Sequence, residues 1–103
     1  MILVFLSACF LAQSNAAGMA VICDSPKTCA DCMTAAPDQQ AYLLNQHIES
    51  RLYNIKARQT LDGLVMTHYT KRGEVLRQAA TEAGLRECAF ADLMDKLVAE
   101  EGE

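Results

Sequence analysis

Tryptophan is absent from this 103-residue chain, aromatic residues make up only 6% of it, and two prolines and five glycines are all that interrupt it. Without large aromatics the core has to be assembled from Leu, Ile, Val, Ala and Met, a composition that suits helices better than strands. No proline follows Pro37, so breaks between helices beyond it must be inferred from weaker signals. No glycine-rich phosphate loop and no local Ser-His-Asp or Cys-His motif is present, and the carboxylates are scattered over solvent-facing helix positions. The chain is therefore expected not to be an enzyme. A net charge of −4 argues against nucleic acid as a partner.

What is present begins with an apolar run. Residues 2–12 (ILVFLSACFLA) have the length of a signal-peptide hydrophobic region and are too few to cross a bilayer as a helix. Ser14-Asn15-Ala16 supplies small residues at the two positions a signal peptidase reads. Residues 1–16 are thus expected to be a cleaved signal, leaving a mature chain that starts near Ala17. A second reading competes, because Leu6-Ser7-Ala8-Cys9 resembles a bacterial lipobox. Cys9 would then carry the lipid and become the mature amino terminus. Contact with a membrane is expected only through that anchor. No Lys or Arg precedes the run, and Phe10 and Leu11 rather than polar residues follow Cys9.

Both readings leave Cys23, Cys29, Cys32 and Cys88, an even set that in an oxidising compartment reads as a disulfide framework. Residues 17–36 are Cys-rich and turn-prone (Asp24-Ser25-Pro26), with no periodicity, and are expected to form a loop. Residues 37–103 are expected to be the helical domain. Pro37 at a first helical position with Asp38 in the first turn marks its start, and Ala41, Leu44, Ile48, Leu52 and Ile55 form one helical stripe. The stripe continues through Leu61, Val65, Leu76, Ala79, Ala80 and Ala83. One helix over that whole span would be roughly 70 Å long. A turn is therefore placed between Asn54 and Gly63, with Asp62-Gly63 the more obvious signal, giving an antiparallel helical hairpin. Gly84 is expected to end the second long helix, with Leu85 making the accompanying apolar contact. A short third helix is expected over 89–99, carrying Phe90, Leu93, Met94 and Leu97. The expected fold is all-α, stapled by cysteines at the open end of the hairpin. Cys88 is expected to pair with Cys32 or Cys29, and Cys23 with the one left over.

Three functions are compatible with these residues. The first is a small exported, disulfide-stabilised protein with a non-enzymatic binding or structural role in a bacterial envelope or secretome, acting on an unidentified protein partner or by self-association. The second is metal binding. Cys23, Cys29, Cys32 and Cys88 could supply four thiolates to zinc, and His47 and His68 are symmetric about a turn near residues 57 and 58, with Met66 nearby to suit copper. The third is thiol redox chemistry at Cys29-Ala30-Asp31-Cys32, whose C-x-x-C spacing lacks the βαβ setting of thioredoxin-like pairs. Met33 rather than His follows Cys32, which excludes a haem attachment site.

Overall fold

A computed structural model describes residues 13–101. The apolar run with Cys9, and with it most of the expected signal, lies outside the described residues. All regular structure among the described residues is helical. The elements are α1 (Asn15–Cys23), α2 (Ser25–Thr28), α3 (Ala30–Thr34), α4 (Pro37–Glu49), α5 (Ile55–Val65), a 3-10 turn (Tyr69–Lys71), α6 (Arg72–Glu82) and α7 (Ala89–Glu101). The all-α class and its stapling by cysteines are as expected.

The expected loop over 17–36 is instead three helices, and α1 is the central one, packed on α5, α6 and α7. Its sequence NAAGMAVIC is small or apolar on every side, so it shows no stripe, and an evenly apolar helix belongs inside. Gly18, Met19, Ile22 and Cys23 are buried there. The Ser14 hydroxyl caps the helix by accepting from the Ala17 amide at 3.0 Å. At Gly18 the helix meets α5 closely, since an added Cβ would stand 2.7 Å from that of Ala57.

The first long helix is a single element and the second is divided in two. Pro37 starts α4 as expected, with Asp38 in its first turn. The chain then breaks at 50–54, where Asn54 caps α5 by accepting from the Ala57 amide at 2.9 Å. Asp62-Gly63, the stronger local turn signal, lies within α5, and Gly63 faces open space. A capping side chain with the buried Leu52 beside it outweighs a turn-forming dipeptide on a solvent face. A second break, not expected, comes at 66–68. There Arg72 Nε donates to the carbonyls of Leu64 and Thr67 at 2.8 and 3.0 Å, tying off the end of α5. Helix α4 packs chiefly on α2 and α3, and the most extensive helix pair is α6 with α7.

Gly84 closes α6 with φ of 90°. The Leu85 amide donates to the Ala80 carbonyl at 2.9 Å and the Gly84 amide to that of Thr81 at 3.0 Å, the paired bonds of a Schellman end. The third helix forms from Ala89 as expected and runs to Glu101. Arg77 of α6 bridges to α7, 2.7 Å from Asp92 and 2.6 Å from Asp95, and these two carboxylates hold its proton more tightly than usual. One core joins Ile22, Leu44, Ile48, Leu61, Leu76 and Phe90.

Candidate functional site

The cysteines pair as Cys23–Cys88 and Cys29–Cys32. This corrects the expected pairing, in which Cys88 took Cys29 or Cys32. The reason is α1: as a helix it carries Cys23 to the level where α7 begins, while the end of α2 turns Cys29 back onto α3. The first bridge joins residues 65 apart and is buried at both ends, with Cys23 0% and Cys88 4% exposed. On the chain-entropy model a loop of that size stabilises by about 4 kcal/mol. The second joins residues three apart, for which the same model allows at most about 2 kcal/mol. Here Cys29 is the N-cap of α3, its Sγ accepting from the Cys32 amide at 3.3 Å. Cys32 is buried and Cys29 is half-buried, so a thiolate attacking this bridge has one sulfur to approach.

The four sulfurs are paired in two separate bridges, the disulfide framework rather than the alternative four-thiolate arrangement. No group of three or more His, Cys, Asp or Glu side chains among the described residues is arranged to hold a metal. His47 shares a 2.9 Å hydrogen bond with Thr28, and His68 shares one of 2.7 Å with Thr70 while stacking on Tyr69. The two histidines were paired by a turn expected near 57 and 58, but the breaks fall at 50–54 and 66–68. Partial burial, with Arg51 nearby, lowers the pKa of His47 below its ordinary value. Residues 51–86 hold seven Lys and Arg side chains, and carboxylates answer some of them: Glu49 lies 3.9 Å from Arg58, and Asp92 and Asp95 flank Arg77.

An apolar surface feature lies between α4 and α7. A cavity of about 440 Å³ opens between α4, the 3-10 turn and α7, with Ala41, Tyr69, Met94, Leu97 and Val98 on its walls. A smaller one of about 170 Å³ shares Ala41, Arg72 and Met94 with it and reaches Leu61, Leu64 and Phe90. Together they make one apolar groove. Its lip carries Val65, 76% exposed, and the next residue, Met66, is 88% exposed. The rim holds both signs, Arg72 against Asp38 and Glu100. Sequence periodicity placed Val65 on the buried stripe and Met94 and Leu97 on the third helix. It gave no means of seeing that α5 would stop at Val65 and leave Met66 in solvent.

These features define a small all-α protein with two disulfides, one long-range and one local, and an open apolar groove. Compared with protein-family models, curated proteins and solved structures, the chain matches none. No helix among the described residues is long and apolar enough to cross a membrane.

Proposed function

We propose that this is a small exported protein, braced by disulfides, that works by binding rather than catalysis, and that its groove face pairs with a second copy. Export is supported by the two bridges, which persist in oxidising compartments, together with the apolar run at residues 2–12. The observation that carries the binding role is the groove with exposed Val65 at its lip and the exposed Met66 next in the chain. Large apolar side chains clustered in solvent mark interaction surfaces. The face offers both halves of a contact: projecting side chains, and beside them a cavity of a size to receive side chains. A two-fold axis between copies sets each protrusion into the other's groove, the self-complementarity of an isologous dimer. The same rotation can place Arg72 of one copy toward Asp38 or Glu100 of the other.

Sedimentation equilibrium from roughly 1 µM to 1 mM spans the range of weak to moderate self-association. The mass is expected to rise toward twice the monomer, and Met66→Glu is expected to hold the protein as a monomer with its helical content unchanged. A wild-type protein that stays monomeric across the range would overturn self-pairing.

A further inference from the structure

We infer that Met66 is a modification site: its thioether takes one oxygen atom from a peroxide, and the methionine sulfoxide so formed releases the groove face from its second copy. The release rests on the self-pairing proposed above, whereas the choice of Met66 rests on exposure alone.

Four methionines lie among the described residues, and burial separates them. Met19 is 1% exposed in the core and Met33 and Met94 are half-buried against it, while Met66 at 88% is the most exposed of the large apolar side chains described. Oxidation follows access to the sulfur. Cys23, Cys29, Cys32 and Cys88 offer no thiolate to compete, because all four are bridged. The fold also tolerates the change. The Met66 amide donates to the Gly63 carbonyl at 3.1 Å, and Arg72 Nε holds the Leu64 and Thr67 carbonyls on either side. Backbone bonds therefore close α5, and a side chain standing in solvent adds little packing to lose.

In the reaction the sulfur lone pair attacks one oxygen of hydrogen peroxide, the O–O bond breaks, and the other oxygen leaves as water. Sulfur is oxidised by two electrons and the peroxide is reduced by two. The product exchanges a flexible apolar tip for a polar S–O dipole. In solvent that dipole is hydrated. In a partner's groove it would face a wall that is apolar but for Asn45 and Arg72, whose Nε is already engaged, and would give up hydration the wall replaces poorly. Burying such a group is expected to weaken self-association about tenfold or more. Pairing and oxidation therefore compete for one side chain, and oxidation proceeds through the monomer. A methionine sulfoxide reductase reverses the step, taking two electrons from a dithiol and releasing the oxygen as water.

The test treats the purified protein with hydrogen peroxide in excess, locates the added oxygen by peptide mass, and reads self-association by sedimentation equilibrium. Met66 is expected to gain oxygen before Met33 and Met94, with Met19 last, and several-fold faster at about 1 µM protein than at about 1 mM. The mass at high concentration is expected to fall from dimer toward monomer with helical content unchanged, and to recover after treatment with the reductase. Met66→Leu, whatever its own affinity, is expected to show the same mass before and after peroxide. Oxygen arriving first on Met33 or Met94, loss of helical content when Met66 alone is oxidised, or a dimer that keeps its mass with Met66 as the sulfoxide would overturn the inference. A protein already monomeric before peroxide would overturn the self-pairing itself and the release with it.

Discussion

Residues 13–34 and residues 55–71 exchange the places their sequences suggest. The first stretch is rich in cysteine and turn formers and has no helical stripe, yet it holds the central helix and both bridges. The second continues a regular apolar stripe, yet Ile55, Val65, Met66 and Tyr69 stand in solvent. Burial here follows constraint more than pattern. Helix α1 is fixed at one end by Gln13 and Ser14 and at the other by Cys23, so its small apolar residues are held where three helices can close on them. Helix α5 is fixed at its start by Asn54 and released at Val65, where Arg72 ties off the backbone and the apolar residues that follow have nothing to cover them. The bridges and terminal hydrogen bonds are concentrated in the first stretch, and large exposed apolar side chains in the second.

Perturbing the first stretch should therefore unfold the protein, and the size of each effect should follow the constraint removed. Cys88→Ser opens the long bridge and is expected to cost about 4 kcal/mol in chemical denaturation under oxidising conditions. For a domain of this size that is a large part of the total stability. Gly18→Ala forces a methyl group onto Ala57 at the closest approach of α1 and α5, and is expected to cost about 1–3 kcal/mol, read from the same denaturation midpoint. The double change Cys29→Ser, Cys32→Ser opens only the local bridge and should cost at most about 2 kcal/mol. The same contrast should appear when a thiol reductant is titrated and free thiols are alkylated: Cys29 and Cys32 are labelled while Cys23 and Cys88 remain bridged. Simultaneous labelling of all four would break the distinction between the two bridges.

The smallest expected effect is that of pH. The pKa of His47 is lowered in the folded chain, so as pH falls below about 6.5 the unfolded chain binds a proton before the folded one does. Stability should decline slightly through that window and be fully present above it. His47→Gln is expected to flatten this part of a pH–stability curve.

The ends of elements were the most legible features, because they depend on chemistry within a few residues. Pro37 starts α4, Gly84 ends α6 with the Leu85 contact, and the last helix begins at Ala89. The choice between Asn54 and Asp62-Gly63 was harder, because it turns on which site has a buried neighbour: Leu52 is buried next to Asn54, while Gly63 faces water. Helix α1 could not be read from periodicity, since a helix apolar on all sides has none, and its first residues overlap a plausible signal-cleavage pattern. The cysteine pairing could not be read either. It depends on α1 being a helix and on its packing against α7. Gln13 gave no local sign, because its partners lie about 40 residues away. The groove was hidden for the same reason, being formed by α4, α5, the 3-10 turn and α7 together.

Amide hydrogen exchange at two protein concentrations, one near 1 µM and one near 1 mM, tests the division between bracing and binding most directly. Amides of α1 are expected to exchange slowly at both concentrations, while those from Leu64 to Lys71 exchange readily when dilute and gain protection when concentrated, as the groove face is covered. Equal protection of residues 64–71 at both concentrations, or gains confined to α1, would contradict the account.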